Sequence, residues 1–232
     1  KEVSYTYDAS GNRETMADTQ GLTTYFYDPL NRLEHIETPL GTTEYTYYSD
    51  GLPDTVAYPN GCGMDYDYDR SGFVTNILQY QTSPGSDGIM GTADDVQSQL
   101  AGYACQYDAR GNMSEQNING NDPAADPLTT TYGYDLADRL TSVDYPGDAQ
   151  MTYTYDNVGN RLNETGIDPA DGTTQIDRTM QYDGLNQLGQ ILDSIDPSNN
   201  TTFSYDRGGN MTNKTVGSQI INYSYDVRNR LA

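Results

Sequence analysis

The sequence has no tryptophan, one histidine, two cysteines and three phenylalanines among its 232 residues. Each scarcity closes off a class of chemistry. A single histidine, His35, excludes a histidine-cluster metal site and any two-histidine zinc motif. It stands in the plain second strand of a repeat. No Gly-x-Ser-x-Gly elbow occurs anywhere in the chain, so nothing marks a nucleophile beside it. Basic residues are also sparse: 12 Lys and Arg face 34 Asp and Glu, a formal net charge of −22. So acidic a chain repels nucleic acid and anionic membrane, and cations are its natural counter-ligands. No apolar run approaches the roughly 18 residues that a membrane-spanning helix needs. No leader-like segment opens the chain, and Lys1 is already one step from a repeat, which reads as a fragment or processed product.

Aliphatic residues are too few for a large dry core, since hydrophobic residues make up 34% of the chain. Low hydrophobicity with high charge is also the composition of disorder. The 22 tyrosines argue otherwise, because disordered acidic chains are poor in aromatics. Tyrosine must supply much of the buried area, with its hydroxyl left near water or a partner.

The tyrosines recur in a fixed string. Tyr-x-Tyr-Asp occurs at 5–8, 25–28, 66–69, 132–135, 153–156 and 223–226, and one-substitution variants occur at 45–48, 105–108, 180–183 and 203–206. Successive Asp positions lie 20, 20, 21, 39, 27, 21, 27, 23 and 20 residues apart, with Tyr48 in place of the third Asp. The period is near 20 and the longer gaps are insertions. The pairs Tyr7-Asp8, Tyr27-Asp28, Tyr68-Asp69, Tyr107-Asp108, Tyr134-Asp135, Tyr155-Asp156, Tyr182-Asp183, Tyr205-Asp206 and Tyr225-Asp226 mark the repeats.

Each copy reads as a strand and then a turn. Thr-Tyr-Thr-Tyr-Asp at 152–156 alternates by two, which puts both tyrosines on one face of a strand. Three residues after each Asp position stand Gly11, Asn31, Gly51, Gly72, Gly111, Asp138, Gly159, Asn186, Gly209 and Asn229. All are Gly, Asn or Asp, the residues that best tolerate positive φ. An Asp opening a type I turn, followed by a left-handed residue, predicts a tight hairpin with a G1 bulge. Second strands begin at Arg32-Leu33, Arg139-Leu140, Arg161-Leu162 and Arg230-Leu231, and each Arg is expected near the acidic turn. Ten hairpins give about 20 antiparallel strands in a row, and an open sheet that wide should curl as strand twist accumulates. The predicted fold is all-β: tandem hairpins in a long antiparallel sheet that spirals into a solenoid, tube or partial hollow shell.

The string Tyr-x-Tyr-Asp-x-x-Gly-Asn-Arg, as at Tyr153–Arg161, resembles the RHS/YD repeat, and the resemblance covers essentially the whole chain. Members of that family include bacterial polymorphic and insecticidal toxins, wall-associated proteins and animal teneurins. The resemblance implies a β-sheet ribbon that spirals into a hollow shell, which in the toxins encloses a carboxy-terminal cargo. No core segment, self-cleaving module or toxin domain follows the repeats here, so encapsulation is expected only of a longer parent.

The organisation expected is one array over 1–232, with an acidic Gly/Asp-rich insertion at 82–99 and shorter loops at 119–128, 166–178 and 193–200. The acidic insertion offers Asp87, Asp94 and Asp95 as candidate Ca²⁺ ligands between Gly turns; the competing reading is a solvated acidic loop. No other cofactor is expected. Cys62 and Cys105 flank the insertion, and an intervening strand would keep them about 10 Å apart, beyond disulfide reach. Two packed free thiols are therefore favoured over a bridge that distortion by the insertion would allow.

The repeated Asp residues are read as turn formers, since a catalytic pair needs two unlike environments rather than ten similar ones. The expected function is a non-enzymatic structural scaffold, a secreted or surface-displayed segment that encloses or carries cargo. One alternative is an extracellular filament or adhesive stalk whose arrays stack end to end through free sheet edges. Another is a surface whose tyrosines bind glycan or receptor. The partners expected are further repeats of the same or a parent chain, or a cargo domain.

Overall fold

The computed structural model describes residues 3–89, 91–120 and 128–231. The chain folds as two compact units, Lys1–Thr129 and Thr130–Ala232. Both are built from antiparallel strands, and the only helix among the described residues is a single 3₁₀ turn, Pro197–Asn199.

The first unit holds five hairpins. They are β1 (Ser4–Tyr7) with β2 (Arg13–Asp18), β3 (Gly21–Tyr27) with β4 (Leu33–Thr38), and β5 (Gly41–Tyr47) with β6 (Pro53–Ala57). The long pairs β7 (Cys62–Tyr68) with β8 (Val74–Ser83) and β9 (Val96–Tyr107) with β10 (Met113–Asn119) follow. Each hairpin also pairs with the next, through β2–β3, β4–β5, β6–β7 and β8–β9. The second unit repeats the plan. Its hairpins are β11 (Leu128–Tyr134) with β12 (Leu140–Asp144), β13 (Gln150–Tyr155) with β14 (Arg161–Ile167), β15 (Gln175–Tyr182) with β16 (Leu188–Asp193), and β17 (Thr201–Tyr205) with β18 (Met211–Val216). These also pair in sequence order, and β19 (Gln219–Asn222) continues the ladder from β18. The tenth repeat closes only through the bridge Tyr225↔Leu231, so the described residues form 19 strands where about 20 were expected.

All ten turn positions take positive φ, from 56° at Asn229 to 98° at Gly159. The residue at each of these positions donates its N–H to the carbonyl of the residue that opens the turn, as Gly11 does to Asp8 at 3.1 Å. The turn-opening residue in turn donates its N–H to the carbonyl four places on, as Asp8 does to Asn12 at 2.9 Å. The register then slips by one just inside each turn: Tyr7 faces Arg13, but Thr6 faces Thr15. A type I turn with a left-handed closing residue leaves one extra residue in the second strand, and this bulge is the result.

The insertions are shorter than their sequence bounds. Strands β8 and β9 run into the acidic insertion, leaving residues 84–95 as loop, and Met90 lies outside the described residues. The 166–178 insertion keeps only residues 168–174 as loop between β14 and β15, and the 193–200 insertion holds the 3₁₀ turn. Of the insertion at 119–128, residues 121–127 lie outside the described residues.

Burial is thin. The chain exposes 15070 Å² of surface, where a globular monomer of this mass would expose about 10,000 Å². Among the described residues no side chain falls below 2% relative exposure. In the second unit Val143, Met151 and Ile176 are buried across consecutive strands, with Val143 facing Met151 and both Met151 and Ile176 facing Gly166. In the first unit Tyr80 is buried over its cross-strand partner Gly63, and any Cβ at Gly63 would collide with the Tyr80 ring. The missing side chain at Gly63 is what lets that ring lie flat on the sheet.

Gly63→Val is expected to expel Tyr80 and cost about 2 kcal/mol. Urea unfolding of the variant against the parent checks it; an unchanged midpoint would refute the packing of this ring.

Candidate functional site: the aspartate turn row and its tyrosine rungs

In nine of the ten turns the opening residue is an aspartate, and in all nine its Oδ1 accepts two backbone N–H groups, two and four places on, at 2.8–3.1 Å. Its Oδ2 is left for the side chain four places on. Asn12, Asn112, Asn160 and Asn210 donate amide N–H groups to it, and Arg32, Arg139 and Arg230 form ion pairs with it at 2.7 Å. Charged acceptors make the stronger hydrogen bonds, so a carboxylate suits this place better than an amide or hydroxyl. Where Tyr48 replaces the aspartate, Asp50 takes over part of the task and accepts Leu52 N–H at 3.2 Å.

Arg161 departs from the expected pattern. It lies five places after Asp156, one residue too far to reach the carboxylate, because successive strand residues point to opposite faces. It pairs instead with Glu164 at 3.3 Å and lies over the Tyr153 ring at 5.4 Å. Asn160 holds the position beside the turn.

In six repeats the tyrosine just before the turn links neighbouring hairpins. Its hydroxyl donates to the backbone carbonyl five places after the previous turn's aspartate: Tyr27 to Arg13, Tyr107 to Val74, Tyr155 to Leu140, Tyr182 to Arg161 and Tyr205 to Leu188, at 2.8–3.1 Å. Tyr47 does the same to Leu33 at 2.8 Å. That carbonyl lies at the bulge, where the ladder is interrupted. Tyr68 packs edge-on against Tyr48 instead, with ring centroids 5.9 Å apart. The first tyrosine of the string has no such duty in the variant repeats, where Cys105, Met180 and Phe203 stand in its place. The signal for this difference was present in the sequence, because all ten copies keep the second tyrosine.

The other candidate residues serve the loops and faces that hold them. Asp94 accepts Ser86 and Thr92 hydroxyls at 2.8 Å, and with the Asp87 N–H these bonds pull its carboxyl down to about 2. Asp95 accepts Gly91 N–H at 2.7 Å, and Asp87 accepts Ile89 N–H at 2.8 Å. The three carboxylates are thus spent on the loop's own donors. Among the described residues no group of three or more His, Cys, Asp or Glu is placed to hold a metal ion. His35 stacks on Phe26 with ring centroids 4.1 Å apart. Cys62 and Cys105 are free thiols; Cys62 faces Gln81 and hydrogen-bonds to it at 3.0 Å, two strands away from Cys105.

Both units are ladders of near-identical turns, the geometry of a tandem hairpin repeat whose repeated chemistry is spent on joining one hairpin to the next. Comparison with known proteins agrees with that class: residues 1–82 match the Teneurin YD-shell family model. No curated protein matches. A Tc holotoxin pore structure from Photorhabdus luminescens is similar over 99% of this chain and 13% of that one, with a TM-score of 0.63 at 18% identity. A TcdB2-TccC3 crystal structure is similar over 99% of this chain and 14% of that one, with a TM-score of 0.56 at 16% identity. A second, without the hypervariable C-terminal region, gives 0.54 at 12% identity over 97% of this chain and 14% of that one. At such identities the likeness is one of fold, and this chain spans only a small part of those chains' length.

Two predictions follow from the turn chemistry. Tyr155→Phe is expected to cost about 1 kcal/mol by leaving the Leu140 carbonyl unpaired, whereas Tyr153→Phe should cost less; urea unfolding of the two variants compares them. Stability should also form a plateau in pH. Hydrogen bonds from Asn12 hold Asp8, and those from Arg139 hold Asp135, below the carboxylate value of 3.8. Folded values below the unfolded ones give stability that is present above pH 3.8 and lost as the pH falls further. Burial raises Tyr47, Tyr107 and Tyr205 above 10.0, which gives stability present below that pH and lost as the pH rises through the folded values. Asp65 opposes the acid arm locally, because burial and the neighbouring Asp54 raise it. Thermal unfolding across pH 2–12 should fall on both sides; a flat profile would refute the assignment.

Proposed function

We propose that this chain is a wall segment of a YD-repeat shell: a non-enzymatic scaffold, secreted or displayed at the cell surface, that encloses or carries a cargo domain. The observation that supports this reading is where the polar chemistry goes. Turn carboxylates are satisfied by their own hairpins, and tyrosine hydroxyls by the hairpin before, so the repeated residues build a wall and leave no convergent site. Thin burial favours the same reading, since a sheet face that buries so little in its own chain suits a role as one side of an enclosed space. No helix among the described residues is long and apolar enough to cross a membrane. Proteolysis of the complete gene product that carries this segment tests the proposal. Cargo should resist cleavage until denaturant opens the wall; cargo cut equally fast in the native protein would overturn enclosure.

A second reading is end-to-end stacking into filaments. Every residue of β1 and of β19 is exposed, and each strand lies at the outer end of its unit's pairing order. Exposed edges pair readily, but the charge of −22 opposes association unless salt screens it. Electron micrographs at about 1 M salt, where the Debye length is short, would show filaments under this reading and discrete particles under the first.

A further inference from the structure

The turn row and the tyrosine rungs are nearly the same in every repeat, so they cannot tell one neighbouring hairpin from another. A second pair of positions varies, and varies together. Number each turn from its opening residue, which is position zero. Where position four is Asn, at Asn12, Asn112, Asn160 and Asn210, position three of the next turn is Asn31, Asp138, Asn186 or Asn229. Where position four is larger, at Arg32, Leu52, Phe73, Arg139 and Gln187, position three of the next turn is Gly51, Gly72, Gly111, Gly159 or Gly209. Ten turns make nine successive pairs in the sequence, and all nine obey the rule; eight of them lie within a single unit. Positive φ accounts for Gly, Asn or Asp at position three, but it says nothing of the hairpin before.

The contacts give the reason. Asn12 donates its amide to Asn31 Oδ1 at 2.6 Å, and Asn31 returns a bond at 3.3 Å. Asn160 donates to Asn186 at 3.2 Å and Asn210 to Asn229 at 3.1 Å. Each of these amides has one N–H on its own aspartate, and the next turn's side chain accepts the second. In the other class the space is taken at one junction, where a Cβ at Gly111 would lie 2.8 Å from Phe73 Cζ. A Cβ at Gly209 or Gly72 would sit in ordinary contact, 3.4 Å from Gln187 Nε2 and 3.8 Å from Leu52 Cδ1, and one at Gly51 or Gly159 would meet nothing within 4 Å, so there the larger residue simply offers no amide partner. Arg32 covers the Tyr47 ring at 4.4 Å, and Arg139 donates to the Asp156 carbonyl at 2.7 Å, so each reaches past the glycine to the next hairpin's own groups.

We propose that these two positions form a matching code: the residue at position four of each turn selects the residue at position three of the next, and so fixes which hairpin can follow which. The device acts by mismatch, which is how closely similar partners are told apart. A slip by one whole repeat would set Asn12 against Gly51, leaving its second N–H without the acceptor. It would likewise set a bulky side chain against an asparagine wherever the classes alternate. The code goes beyond the scaffold reading and stands whether or not the array encloses anything.

Two double-mutant cycles in the full 232-residue chain test it. Gly111→Asn is expected to lower the unfolding midpoint when position 73 is phenylalanine, and to be neutral or stabilising in the Phe73→Asn background. In the mirror cycle, Asn186→Gly should destabilise beside Asn160 but not in the Asn160→Leu background. That cycle removes bulk at the turn, so it still reads out if Gly111→Asn fails to fold. Hydrogen exchange at the turn amide of residue 186 should speed up about tenfold in the mismatched variant and recover in the matched one. Equal effects in both backgrounds of the mirror cycle would overturn the code.

Discussion

The structure depends on one carboxylate used in one way. Each turn aspartate holds the two backbone N–H groups that a type I turn leaves pointing inward, and in seven of the nine its second oxygen fixes the side chain where the return strand begins. With so little apolar burial, the ladder has no large core to enforce its register. Hairpin geometry must then be set locally, turn by turn, because a one-residue slip would turn every side chain to the opposite face. The carboxylate supplies that definition, and the bulge and the tyrosine rung follow from it.

The rung turns separate hairpins into an array. A bulge leaves a carbonyl out of the regular ladder, and the next hairpin's tyrosine reaches back to it. The ring spans the gap between strands, and the hydroxyl supplies the missing partner. Cation–π contacts such as Arg139 over Tyr155 add to the same junction. A fold of this kind approximates a one-dimensional chain of nearest-neighbour terms, in which each hairpin depends chiefly on its two neighbours. Long insertions between hairpins are tolerated for that reason: they lengthen a connection without breaking a junction.

The sequence by itself determined the repeat, its period and its turns. Gly11, Asn31, Asp138 and their equivalents announce positive φ because few other residues accept it, and alternation of tyrosines announces strands. Short-range rules carry such features, and they hold wherever the chain sits. Other matters were decided only in three dimensions. That Arg161 leaves the acidic turn while Arg139 binds it rests on one residue of offset across a bulge. That Asp87, Asp94 and Asp95 each accept hydrogen bonds from their own loop depends on where its hydroxyls and N–H groups fall. The division of labour between the two tyrosines, and the matching of Phe73 to Gly111 or Asn160 to Asn186, required knowing which hairpin lies beside which. Local propensity specifies a turn, but contacts between turns some 20 residues apart exist only once the strands have paired, and pairing is a tertiary event.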